Sequence, residues 1–202
     1  MINMVKLPTK KSNLFLRVAK GHFATSHSHI NYYIDVTTQK SRLSEAKAVA
    51  KELVAAYQHN TIVDTVLCLD GTQVIGTCLA NELTKDGFAN MNAHQTIYVV
   101  TPEYTTGSQI ILRDNLAPMV KGKHVLILAA SITTGYTVQA AIEAVNYYGG
   151  MVAGCQPSLP PPMNVWATRS RPSSTPPACR ITPASTAATA PCARPASTST
   201  RW

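Results

Sequence analysis

No apolar run in this 202-residue chain reaches the roughly 18 residues that a membrane-crossing helix needs, and no secretory leader is visible. The five cysteines (Cys68, Cys78, Cys155, Cys179 and Cys192) show no paired metal spacing, so no zinc module is expected. A reducing, cytoplasmic setting is the expectation. Acids are scarce: 10 Asp and Glu stand against 18 Lys and Arg, for a formal net charge of +8. Residues 156–202 contain no Gly, Asp, Glu, Lys, Phe or Tyr. Arg169, Arg171, Arg180, Arg194 and Arg201 in that stretch supply much of the positive charge. The charge therefore does not argue for a nucleic-acid-binding domain, and Trp166 and Trp202 are too few for a stacking platform.

The chain changes character after Gly154. All of its 13 prolines except Pro8, Pro102 and Pro118 lie beyond that point. We divide it into an α/β domain over 1–154 and a Pro/Arg/Ser/Thr-rich tail over 155–202. The tail lacks the periodicity to bury a core and reads as disordered. Its acid-free bias is also what a GC-rich coding strand gives in the wrong phase. Loss of one base after the Gly154 codon would let the adjacent phase encode G-V-P-A-I-F-A-T-A-D-E and later V-K-A-V-F, restoring strands, acids and glycines. The tail is thus read as a frameshift product.

Within 1–154, the richest segment is Lys123 to Gly150. Val125–Leu128 is short, apolar and partly β-branched, as in a strand buried on both faces. Ser131, Thr133, Thr134, Gly135, Tyr136 and Thr137 form a small, hydroxyl-rich turn, and Val138, Ala141, Ile142, Val145 and Tyr148 then recur at helical spacing. The first N–H groups of a helix have no intrahelical partner and sit at the positive end of its dipole. Strand, turn and helix in this order can cradle a phosphate; an ordinary capped helix start is the competing reading.

A second strand-like run, Ile62–Leu69, leads into Asp70, Gly71 and Thr72, then a stripe of Val74, Ile75, Cys78, Leu79 and Leu83. Strands are expected near 31–36, 62–69, 96–100, 124–129 and 151–153, and helices near 42–57, 72–84 and 134–148. This alternation predicts an α/β fold with a mainly parallel sheet flanked by helices. Ligands in such sheets bind beyond the carboxyl ends of the strands, where both turns fall. Asp70 suits a metal-bridged phosphate or an N-cap; Asp35 suits a turn cap. His22, His27 and His29 read as polar loop residues rather than a metal cluster.

The Ser131–Thr137 turn resembles the phosphoribosyl diphosphate (PRPP) loop of type I phosphoribosyltransferases. Asp70–Thr72 looks like that family's pyrophosphate loop. Gly21 to Asp35, with Tyr32-Tyr33-Ile34-Asp35, is similar to the N-terminal strand region of orotate phosphoribosyltransferases. The resemblance covers roughly residues 14–154. It implies a transferase (a glycosyltransferase of nucleotide biosynthesis and pyrimidine metabolism) that binds PRPP or a nucleotide, with Mg²⁺ accompanying PRPP, as a homodimer.

Two departures follow. Where the family has an acidic pair that contacts the ribose hydroxyls, this chain has Ala129 and Ala130. Where orotate enzymes carry a basic mobile loop, Thr101–Asp114 offers only Arg113. An orotate phosphoribosyltransferase-like enzyme and a non-catalytic PRPP- or nucleotide-sensing protein of the same fold both fit this pattern; the catalytic residues are unassigned. With its late strands replaced by the tail, the chain as given is expected to aggregate on heating. A cooperative thermal melt would contradict this, and an intact reading frame across the Gly154 codon would sink the frameshift.

Overall fold

The computed structural model describes residues 4–8, 15–24, 29–87, 90–93, 95–107, 109–132 and 134–158. The chain starts with an antiparallel sheet of β1 (Met4–Pro8), β2 (Phe15–Ala24) and β3 (His29–Asp35), in that order. Only β3 was expected from the sequence. Leu16, Val18 and Ala19 of β2 are buried, but the rest of β2 and β3 is largely exposed, so their apolar pattern is weak.

Two helices follow where one was expected: α1 (Thr37–Ser41) and α2 (Leu43–Val54), broken at Arg42, whose backbone is extended. The Asp35 carboxylate accepts the Thr37 N–H at 3.0 Å, a local turn that starts α1 and holds the Asp35 carboxyl below its ordinary range. Gln39 is buried and donates to the Phe15 carbonyl at 2.9 Å, tying α1 to β2.

The rest is the α/β unit that the alternation predicts. In chain order come β4 (Thr65–Cys68), α3 (Gln73–Leu83), β5 (Tyr98–Val100), the short pair β6 (Glu103–Tyr104) and β7 (Ile110–Ile111), a 3-10 turn (Ala117–Met119), β8 (His124–Ala129), α4 (Tyr136–Tyr147) and β9 (Met151–Pro157). The main sheet has the order β5-β4-β8-β9 and every neighbouring pair is parallel. Alternate residues serve opposite faces. Val66, Cys68, Leu126 and Leu128 pack against α2 and α3. Leu67, Val125, Ile127 and Ala129 pack against α4. Such double burial explains why β4 and β8 read as unbroken apolar runs.

β9 continues past Gly154: Cys155, Gln156 and Pro157 pair with Ile127, Leu128 and Ala129. The α/β unit thus extends beyond the boundary read from composition. Edge pairing uses the backbone, so it tolerates these side chains, and Pro157, without an N–H, is at home on an edge strand. The Tyr57 hydroxyl donates to Gln156 at 2.9 Å. The remainder of the tail, including Cys179 and Cys192, lies outside the described residues.

Glycine is required where α3 crosses β4. A Cβ on Gly76 would lie 2.3 Å from the Cys68 Sγ. Burial pushes the Cys68 thiol up to about 12, so it is an inert core group. Gly76→Ala is expected to lower stability by about 1–3 kcal/mol, read as a reduced denaturant midpoint. At the amino end of the sheet, burial of Asp64 favours its neutral form. The His124 N–H at 2.8 Å, the His124 ring at 2.9 Å and the Lys123 charge outweigh that and hold the carboxyl below its ordinary value. A depressed carboxylate stabilises the fold above its unfolded pKa of about 3.9 and loses that contribution as pH falls through the folded value. Asp64→Asn is expected to cost about 1 kcal/mol at neutral pH. Wild type and variant should converge in urea melts as pH drops from about 5 to about 3.

Candidate functional site

β4 and β8 are adjacent and parallel, with Cys68 opposite Leu128, so their carboxyl ends finish at the same level. The two turns singled out in the sequence therefore leave the sheet side by side. Their backbones are tied. The Leu69 N–H donates to the Leu128 carbonyl at 2.8 Å, and the Thr72 hydroxyl lies 2.8 Å from the Leu69 carbonyl and 3.1 Å from that of Leu128. Thr72 is fully buried, so it shapes the loop from below instead of facing a ligand. It is also the N-cap of α3, a place the sequence offered to Asp70.

Asp70 and Gly71 make the bend, with φ of 53° and 78°. Aspartate is one of the few side chains that tolerate this left-handed region. Burial raises the Asp70 carboxyl above its ordinary value, while the Lys40 ammonium and the Ala130 N–H act the other way and favour its charge. The carboxyl of the first turn thus faces the start of the second, at the Ala130 N–H.

In that second turn Ser131, Thr134, Tyr136 and Thr137 are exposed, and Ile132 anchors the turn by packing on the core under α4. Thr133 lies outside the described residues. Gly135 is the N-cap of α4 with φ of 84°. Among the described residues nothing lies within 4 Å of where its Cβ would be, so the turn is open there. Ala129 and Ala130 are both buried, and Ala129 belongs to the core beneath α4. Their carbonyls accept the N–H and the hydroxyl of Ser158, each at 2.7 Å.

Three participants had no motif to mark them. Lys40, from α1, donates to the Asp70 carbonyl at 2.8 Å. The Tyr104 hydroxyl faces the Asp70 N–H; burial first, then the Asp70 charge, raise its pKa. Ser158 closes the end of β8. All three act across long sequence separations, which single-segment periodicity cannot register.

Other expectations fall elsewhere. Thr101–Asp114, which by its sequence lacks the basic loop of orotate enzymes, forms the β6–β7 pair, and Ile110 and Leu112 are buried under α4. The Tyr148 hydroxyl lies 3.1 Å from both the N–H and the carbonyl of Leu112. Arg113, its one base, pairs with Glu103. His22 and His29 lie on strands, not in a loop, with ring nitrogens 3.0 Å apart; His27 is outside the described residues. Among the described residues no group of three or more His, Cys, Asp or Glu could hold a metal, and no helix is long and apolar enough to cross a membrane.

No family model and no curated protein matches the chain. Solved structures do match. They include an orotate phosphoribosyltransferase from Mycobacterium tuberculosis, at 21% identity and a TM-score of 0.43, over 69% of this chain and 75% of that one. Another, from Aeropyrum pernix, matches at 20% identity and a TM-score of 0.48, over 68% and 72%. The UMP synthase of Leishmania donovani matches at 21% and 0.47 over 68% of this chain, which spans only 27% of that protein.

Thr72→Val keeps the shape of the side chain and removes the buried hydroxyl's hydrogen bond, while the Leu69 and Leu128 carbonyls keep the N–H groups of Thr72 and Leu69. It should cost about 1–3 kcal/mol in urea unfolding, well above an exposed Thr77→Val control.

Proposed function

We propose that this chain is an orotate phosphoribosyltransferase-like protein that binds PRPP or a nucleotide 5′-phosphate across its two turns. The observation that carries this is the adjacency of Asp70–Thr72 and Ser131–Thr137 at the carboxyl ends of neighbouring parallel strands. The backbone N–H groups at the start of α4, with the hydroxyls of Ser131, Thr134 and Thr137, would take the 5′-phosphate. The Asp70–Gly71 bend would take the diphosphate.

The donor set fits Mg²⁺ arriving with its ligand. Mg²⁺ is commonly held by one or two carboxylates plus substrate phosphates, and Asp70 offers one carboxylate at the bend. When bound, the ion would neutralise diphosphate charge. Asp70 would orient it, Gly71 would keep side chains clear of the phosphates, and the Lys40 ammonium would offset the carboxylate. Assembly as a homodimer in the cytoplasm is part of the same reading.

A second reading, a PRPP- or nucleotide-sensing protein without turnover, is favoured by Ala129 and Ala130. A phosphoribosyl transfer develops positive charge at the ribose, and no side chain at these positions can answer it. Losing one such electrostatic group costs about 10²–10³ in rate. Restoring both acids is not a neutral test, because a carboxylate at Ala129 would enter the core beneath α4. Ala130→Asp alone is the cleaner variant.

Calorimetric titration of PRPP, with and without Mg²⁺, is expected to show one site per chain that tightens with the metal. A folded sample that binds neither PRPP nor a nucleoside 5′-monophosphate would refute the assignment. Phosphoribosyl transfer to orotate by the wild type would establish the enzyme; transfer only in Ala130→Asp would mark a degenerate enzyme that binds without turnover.

A further inference from the structure

The Asp70–Gly71 bend is met by two side chains that come from outside both phosphate turns. Lys40 reaches it from α1, and Tyr104 from β6. α1 is a firm platform for Lys40: Asp35 fixes its first turn, and buried Gln39 pins it to β2. An ammonium has three N–H donors, and the Asp70 carbonyl takes one of them at 2.8 Å. The Lys40 Nζ also lies 3.9 Å from where a Cβ on Gly71 would be. A phosphate resting on the bare Gly71 backbone would therefore lie beside this ammonium. Tyr104, exposed on β6, stands close enough to Asp70 to feel both its N–H and its charge, and its hydroxyl carries one O–H donor. It stands on the same strand as Glu103, which occupies Arg113.

The charges at this bend set a specific need. The Asp70 carboxylate alone repels a diphosphate. The segment expected to supply bases has a single arginine, and that arginine is paired. Lys40 is the cation that the fold brings to the spot.

We propose that Lys40 and Tyr104 form the diphosphate-binding wall of this site, so that the chain distinguishes a sugar diphosphate from a sugar monophosphate through residues outside both phosphate turns. The inference rests on the reading of the two turns given under Proposed function and adds the source of selectivity. Lys40 contributes charge to the diphosphate oxygens. Tyr104 contributes one neutral donor, and its raised pKa keeps the O–H in place through neutral and mildly alkaline pH. The monophosphate end, held by the start of α4, is independent of both.

Isothermal titration of the full chain with three probes tests this: ribose 5-phosphate, inorganic diphosphate with Mg²⁺, and PRPP with Mg²⁺. Lys40→Ala is expected to weaken diphosphate and PRPP binding by about 10- to 100-fold while ribose 5-phosphate stays within about twofold. Lys40→Arg should recover a large part of the loss, because it returns the charge. Tyr104→Phe should weaken diphosphate by about three- to tenfold and leave ribose 5-phosphate unchanged. Far-UV circular dichroism checks that each variant is folded, and Lys40→Met, which keeps the apolar stem, stands in if Lys40→Ala is not. Unchanged diphosphate affinity in folded Lys40→Ala or Lys40→Met overturns the proposal, as does a parallel fall in ribose 5-phosphate binding, which would mark Lys40 as structural. If the wild type binds ribose 5-phosphate but not diphosphate, this inference fails and the phosphate cradle stands. If it binds none of the three, the reading of the site itself fails.

Discussion

The parallel pairing of β4 with β8 is the constraint on which everything else in this molecule rests. Both strands are buried on both faces, and their register sets Cys68 against Leu128. A one-residue slip would reverse every inward and outward side chain, so this register is strongly determined. Because the strands end level, the turns that follow must be neighbours. Thr72 then sews them together from beneath, by bonding to carbonyls on both sides.

This arrangement separates shape from chemistry. A phosphate held by a helix start is held by main-chain groups, which survive almost any change of side chain. Stabilising a reacting sugar needs particular carboxylates. At the end of β8, Ala129 closes the strand and Ala130 follows it, both carbonyls accept bonds from Ser158, and the chain leads into the turn at Gly135 with no carboxylate at either alanine. The same division runs through the segment after β5. It keeps a place near the site through Tyr104, yet Ile110 and Leu112 are packed into the core and Arg113 answers to Glu103.

The parts of the fold that could be read from sequence are those where one segment contains its own reason. β8, its turn and α4 were legible because an apolar run, a hydroxyl-rich turn and a helical stripe follow each other without a gap, and β4 with α3 repeats the pattern. α2 was legible from its apolar stripe, whereas the five-residue α1 before it was not expected, because so short a helix, set off by the extended backbone of Arg42, carries no stripe of its own. β1 and β2 were missed because a half-exposed hairpin alternates weakly. Within the site, Asp70 and the second turn were found, but Lys40, Tyr104 and Ser158 were not, since each acts on a residue at least 28 positions away. Ala129 shows the limit most clearly. Its identity signals a missing acid, while its burial under α4, which only packing reveals, says what an acid there would cost.

Cys68 gives the sheet an internal clock. Its sulfur sits at the carboxyl end of β4, closed over by the bare backbone of Gly76, and its thiol is held far from the reactive thiolate form. Alkylating reagents need both access and thiolate, and the closed sheet denies both. Labelling at this one atom therefore proceeds only through openings that part α3 from β4. Its rate counts the fraction of time the platform beneath both turns is dismantled, and any ligand that bridges those turns slows that clock in proportion to how tightly it binds.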